Sequence, residues 1–278
     1  MRAFDLLLRL LALATLVVSA AAVVATEWWL FDITAHFRAQ YLGIQAAVLG
    51  LLALRARWRW CLGLLPAMAA NAIPLAPYWP GAAAAPPPSP APLTLMSANL
   101  SATNTDYLRF VDLLSNEPPD IVLLVELNAG WSAALRRLHG LYPYRVELAQ
   151  EDRFGIGLFS RLPFVDQRAV RLQTTTAIEV RVSLAGRAVR VLGVHLRPPL
   201  SEAWSQERNR QLAEVAAIAR EASEPLVVLG DFNTSPYSAN FTAALGSSGL
   251  TDAGLGRGWR YTWPTFLPPL GIPIDLCM

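Results

Sequence analysis

The stretch that decides the fold is PLVVLGDFNTSP, Pro225 to Pro236. Leu226 to Leu229 form a short apolar run bounded by turn formers, which predicts a buried strand. Gly230 then frees the backbone, and Asp231 and Asn233 follow at the strand's carboxyl end. Ligands collect at that edge in α/β sheets. Two residues apart on extended backbone, the pair would share a side. An anionic oxygen beside an amide that both donates and accepts suits water or a phosphate oxygen next to a divalent cation. The competing reading is an Asx turn that only closes the strand, so the neighbouring strands have to decide.

From Leu93 onward the pattern alternates between strand and helix. LTLMSAN (93–99), IVLLV (121–125), GIGLFS (155–160), 177–184 and 188–194 read as strands, with Gly186 as a hairpin turn. Helical spacing marks 105–115, 131–138 and, most clearly, 201–222, where Leu212, Val215, Ala216 and Ala219 share a face. A short helix is expected at 239–245 and the start of a strand at 272–278. Asn99, Glu126, His195 and the Asp231/Asn233 pair fall at strand ends, and Asp275 lies in the last strand segment. Each has an ordinary reading as a turn cap, an exposed charge or a hydrogen-bonded histidine. Their shared position at strand termini points instead to one pocket. The residues alone lean toward a single open sheet.

Carboxylates with amide and water oxygens make a hard site suited to Mg²⁺ or Mn²⁺ rather than zinc. The two cysteines, Cys61 and Cys277, stand in no metal-ligand spacing. A hard cation beside Asp, Asn and His fits transfer of a phosphoryl group to water. No glycine-rich loop ending in Lys-Ser/Thr is present, which argues against a P-loop nucleotide site.

The first third reads differently. The 278-residue chain is 54% hydrophobic and only 16% charged, with a mean hydropathy of +0.34. Those values imply membrane segments. Three spans are expected at about 5–25, 37–54 and 58–79, each near the roughly 20 residues a bilayer needs. The third carries Pro66 and Pro74 and is expected to kink. Arg2, Arg9, Arg55, Arg57 and Arg59 place the amino terminus and the second connection in the cytoplasm, and the region after residue 80 outside. His36, in the first connection, reads as an ordinary interfacial residue. GAAAAPPPSPAP (81–92) reads as an extended spacer, giving a membrane region 1–80, a linker 81–92 and a second domain 93–278. Net charge is +2, which argues against a strongly basic nucleic-acid binder. Arg181, Arg187, Arg190 and Arg197 read as a scattered, solvated face. No segment points to a protein partner.

SANL (97–100), DIVLLVEL (120–127), GIGLFSRLPF (155–164), GVHLRPP (193–199), GDFNTSP (230–236) and PID (273–275) resemble, in order, the endonuclease/exonuclease/phosphatase superfamily of DNase I-like phosphoesterases. The three leading spans are similar to a membrane-anchored bacterial branch. The resemblance implies an α/β (α+β) fold: a four-layer sandwich of two mainly antiparallel sheets between helices, preceded by about three transmembrane helices. It implies that Glu126 holds the divalent metal with Asn99 beside it. Asp231 would position or activate the attacking water, and Asn233 would contact phosphate. His195 would hydrogen-bond the scissile phosphate, and Asp275 would orient a catalytic histidine. That histidine follows later in the family, and Met278 ends this sequence first, so no residue takes the role. A chain stopping short of the domain's last strand is therefore expected. The implied function is a membrane-anchored, Mg²⁺- or Mn²⁺-dependent phosphoesterase facing the periplasm or exterior of a bacterial inner membrane. Its substrate would be a nucleic-acid or lipid phosphoester; the alternative is a non-catalytic binding module on the same fold.

Overall fold

The computed structural model describes residues 2–26, 28–83 and 92–278. Most of the expected spacer, residues 84–91, lies outside the described residues.

The amino-terminal region folds into α1 (Arg2–Val23), α2 (Trp29–Ala35), α3 (Arg38–Leu54) and α4 (Trp58–Leu75). Their apolar side chains turn outward: Leu6, Leu7, Leu10, Leu13 and Val17 on α1 are exposed. The interior combines an apolar seam that includes Leu8, Leu52 and Leu64 with a polar cluster. Asn71 Nδ2 donates to Ser19 Oγ at 2.8 Å and to Gln45 Oε1 at 3.1 Å, while Gln45 Nε2 donates to Ser19 Oγ at 3.0 Å. Interhelical amides inside, with many apolar side chains outside, match the pattern expected of helices packed in lipid. Ala3–Val23 and Trp58–Tyr78 are long and apolar enough to cross a membrane, and α2 with α3, bent by 64°, would make a third crossing if counted as one. The α4 helix continues through Pro66 and Pro74, so the expected kink does not end it. Between α3 and α4, Arg55 and Arg57 both pair with Asp5 at 2.5 Å. This charged cluster marks the end of the bundle away from the second region.

Residues from Leu95 onward build two mixed sheets rather than the single open sheet the residues alone suggested. The first contains β1 (Leu95–Asn99), β2 (Ile121–Val125), β3 (Tyr144–Leu148) and β4 (Ile156–Ser160), in the order β1-β2-β4-β3. The second runs β5 (Phe164–Leu172), β6 (Thr175–Leu184), β7 (Arg187–His195), β8 (Leu226–Asp231) and β9 (Asp275–Cys277). Among the described residues only β1/β2 and β7/β8 pair in parallel. Between these strands lie α5 (Tyr107–Asn116), α6 (Ala129–Leu135), α7 (Glu202–Arg220) and α8 (Ala239–Ser248).

Strand alternation explains why a fully apolar strand such as IVLLV is required. On β2, Ile121, Leu123 and Val125 face the second sheet, meeting Ile178, Val180, Val191 and Leu229. Val122 and Leu124 face the other way, against Val111, Leu114, Trp131 and Leu135 of α5 and α6. Likewise Leu192, Val194 and Val228 pack on Leu212 and Val215 of α7 and Phe241 of α8. The result is helix, sheet, sheet, helix: four layers with three apolar seams. Gly230 is the one position in β8 that a side chain cannot occupy. Its φ is +144°, and a Cβ there would lie 1.9 Å from the Val194 carbonyl oxygen.

Candidate active site

The carboxyl ends of the parallel pairs and the amino end of β9 meet at one rim of the sandwich. In register, His195 pairs with Asp231, which pairs with Asp275 across β7, β8 and β9. The first sheet delivers Asn99 at the end of β1 and Glu126 just after β2. One amide joins the two sheets: Asn99 Nδ2 donates to Glu126 Oε1 and to Asp231 Oδ2, both at 3.1 Å. The Ala102 backbone N–H holds the other Glu126 oxygen at 2.8 Å. Asn99 is exposed and Glu126 half-buried, whereas His195 and Asp231 are only 5% and 3% exposed. The site is thus a wet mouth over a dry floor.

Two of these residues carry unusual backbone. Glu126 has φ +58° and Asn233 φ +48°, a region that costs a side chain about 1–3 kcal/mol unless the surroundings hold it. Asn tolerates it more readily than most residues. Asn233 is therefore not on extended backbone, as the two-residue spacing suggested. Its N–H caps Asp231 Oδ1 at 2.9 Å, the Asx turn of the competing reading, while its Nδ2 donates to the Leu196 carbonyl at 2.8 Å. Turn and site geometry coexist here.

The buried groups are electrostatically poised. Burial pushes the Asp231 carboxyl up to about 6, opposed by the hydrogen bonds from Asn233 and Asn99. Burial first, then the charge of Asp231, pushes Asp275 up to about 7. Burial lowers His195 to about 4, so its ring is neutral at pH 7. His195 Nδ1 and Asp275 Oδ1 are buried without a hydrogen-bond partner. Such orphaned atoms on the floor of an open mouth are places where a ligand or water belongs.

Sequence reading missed several residues that shape the rim. Phe154 lies 5.3 Å from the His195 ring, and the Arg197 guanidinium sits over Phe154 at 4.2 Å and Trp204 at 4.8 Å. Arg197 and Arg190, with side chains 18% and 15% exposed, thus depart from the solvated face expected of these arginines. Arg190 and Arg168 pair with Glu179, and Arg181 with Glu224, at the far end of the second sheet. Thr262 Oγ1 accepts the Ile274 and Asp275 backbone N–H groups at 3.0 and 3.1 Å, fixing the start of β9. His36 is not an ordinary interfacial residue: it is 4% exposed, and its Nδ1 lies 2.9 Å from Ser235 Oγ. Beside it, Arg208 pairs with Asp32 of α2 and donates to the Asn233 carbonyl at 3.2 Å. No side chain in the GDFNTSP stretch signals a partner some 200 residues earlier.

A divalent cation fits the donor set. Glu126 and Asp231 bring hard carboxylate oxygens to either side of the Asn99 amide, whose own Oδ1 accepts from the Ser101 backbone N–H at 2.9 Å. Among the described residues no group of three or more His, Cys, Asp or Glu side chains is arranged to hold an ion. A cation here would keep several waters, as Mg²⁺ does when one or two carboxylates bind it.

A profile described as the Endonuclease/Exonuclease/phosphatase family matches residues 96–278. The chain belongs to that family. The family fold recurs in solved structures at low identity. D. rerio TDP2, complexed with a single strand DNA product, is 23% identical with a TM-score of 0.57, covering 66% of this chain and 82% of that one. Sphingomyelinase C from Streptomyces griseocarneus is 18% identical with a TM-score of 0.50, covering 59% and 71%. The human Nocturnin catalytic domain with bound sulfate is 21% identical with a TM-score of 0.51, covering 67% and 82%. No curated protein matches the sequence. Family members are hydrolases of phosphoesters, and these likenesses establish the fold.

Proposed function

We propose that this protein is a membrane-anchored, divalent-metal-dependent phosphoesterase that hydrolyses a phosphodiester or phosphomonoester. The observation that carries the reading is the Asn99 amide spanning Glu126 of one sheet and Asp231 of the other. Residues 1–80 serve as the anchor and 93–278 as the catalytic domain. With the Asp5–Arg55–Arg57 end of the bundle in the cytoplasm, that domain faces the periplasm or exterior.

Glu126 and Asn99 hold the cation, Mg²⁺ or Mn²⁺, which when bound offsets charge on the phosphate oxygens. Asp231 orients the attacking water and takes its proton. A carboxyl raised to about 6 is matched to that task near neutral pH. Neutral His195 donates one ring N–H to a phosphate oxygen. Asn233 keeps one amide N–H free of the Leu196 carbonyl and offers it to the same phosphate. Asp275, raised to about 7, is a group that can hold a proton beside the leaving oxygen.

The test is hydrolysis of bis(p-nitrophenyl) phosphate by the full chain in nanodiscs, with Mg²⁺ or Mn²⁺ and an EDTA control. We expect EDTA-sensitive turnover that Glu126→Gln and Asp231→Asn each lower by about 10²-fold or more. Variants that keep full activity would overturn these roles. Folded protein that binds phosphodiester without turnover would establish the binding module instead.

A further inference from the structure

The segment WRYTWPTFLPPL, residues 259–270, is fastened at both ends to the membrane bundle. At one end Gly256 N donates to Pro77 O and Gly258 N to Tyr78 O, both at 2.9 Å, and Gly81 N donates back to Gly256 O at 2.9 Å. Tyr78 also donates to Asp252 at 2.9 Å. At the other end Gln40 Nε2 donates to the Gly271 carbonyl at 2.8 Å. Pro77 and Tyr78 follow the end of α4, and Gln40 lies in the first turn of α3. Both fastenings therefore sit where the helices leave the apolar zone.

Between them the side chains face outward. Trp259 and Trp263 are 53% exposed and Phe266 84%, and Tyr261, Leu267 and Leu270 are also exposed. Trp28 and Trp79, at neighbouring helix ends, are exposed too. Arg257 and Arg260 are exposed, and no acidic residue occurs from Ala253 to Ile274. Aromatic and basic side chains at this depth match the headgroup layer, where amphipathic rings settle and cations meet lipid phosphates. A patch of this kind continuous with a lipid-facing bundle calls for a cover. Its middle also reaches the catalytic rim, because Thr262 Oγ1 fixes the Asp275 backbone.

We propose that residues 259–270 form a strap seated in the lipid headgroup layer, holding the mouth of the candidate active site at that depth so that it takes phosphoesters borne on the bilayer surface. The inference rests on the membrane-anchored reading above and narrows its substrate class.

Labelling decides it. In a Cys61→Ala/Cys277→Ala background, Phe266→Cys carries an environment-sensitive dye in nanodiscs of phosphatidylcholine and phosphatidylglycerol. Lipids with a nitroxide near the headgroup should quench it at least about twofold more than the same dye at Arg187→Cys, on the far β6–β7 turn. Leu267→Cys repeats the measurement should Phe266→Cys fold poorly. Equal quenching at both sites overturns the strap. Protection from iodide without lipid quenching reveals a protein cover and overturns it as well. For the substrate class, Phe266→Ser/Leu270→Ser should keep turnover of soluble bis(p-nitrophenyl) phosphate. Hydrolysis of the nanodisc phospholipids should fall about tenfold; an equal effect on both substrates overturns that assignment. Quenching in a chain that turns over neither substrate would leave the strap standing and sink the phosphoesterase.

Discussion

Arg208 is the side chain through which the amino-terminal helical bundle reaches the GDFN loop, and replacing it with methionine tests that junction. Arg208 is 0% and Asp32 2% exposed at the side chain. Asp32 keeps one further bond, from Ser238 Oγ at 2.7 Å. Arg208→Met fills the space but leaves the Asp32 carboxylate buried without its cation. Removing one partner of such a pair costs about 3–5 kcal/mol, whereas replacing both with neutral groups of similar size is close to neutral. For a domain of this size about 1 kcal/mol moves Tm by about 2–4 °C, so the single variant should melt about 6–20 °C lower. Asp32→Asn/Arg208→Met should recover much of that loss, with a coupling energy of about 2 kcal/mol. The assay is thermal unfolding of the full chain in nanodiscs, followed by tryptophan fluorescence. Additive single effects, or a shift below about 2 °C for Arg208→Met, would refute a buried ion pair at this junction.

Three further outcomes follow from the geometry. Gly230→Ala places a Cβ 1.9 Å from the Val194 carbonyl at φ +144°; we expect loss of folded protein in denaturant titration, since backbone strain of this kind costs about 1–3 kcal/mol before the clash is counted. Asn99→Ala removes two hydrogen bonds to carboxylates, each worth about 1.5–3 kcal/mol. It should cut kcat/KM by tenfold or more and move the acid limb of the pH profile upward, because the Asn99 bond holds Asp231 down. In EDTA, Asp275 is raised from 3.8 to about 7 in the folded state, so the native protein binds that proton more tightly than the unfolded chain. Its contribution to stability is full below about 4 and is lost as pH rises through about 7. Asp275→Asn should remove this part of the pH dependence, and an unchanged stability profile would show that the shift is absent.

Some of this protein is written locally. The four apolar residues 226–229 and IVLLV at 121–125 announce buried strands because both faces of each must be apolar. The clearest helix, α7, shows its apolar stripe in the sequence. The strands β3 and β5, outer strands like β1 and β9, escaped because YRVEL and FVDQRAVRL carry no continuous apolar run. FVDQRAVRL (164–172) is mostly exposed, so neither periodicity nor an apolar run marks it. In the same way α2 looked like a polar connection, because the partners of Asp32 and His36 are Arg208, Ser235 and Ser238.

The sequence by itself marked Asn99, Glu126, His195, Asp231, Asn233 and Asp275 as candidates for one rim. Each stands at, or within two residues of, the end of a strand, and that is a local property. The residues alone leaned toward one sheet and the family resemblance implied two, which the structure bears out; only the tertiary structure decided that Asn99 bridges them and that α2 presses on the GDFN loop. It also decided that Glu126 and Asn233 adopt left-handed backbone. Those facts depend on contacts between segments far apart in the chain, and a pattern of local hydrophobicity carries no information about which distant surface will cover it.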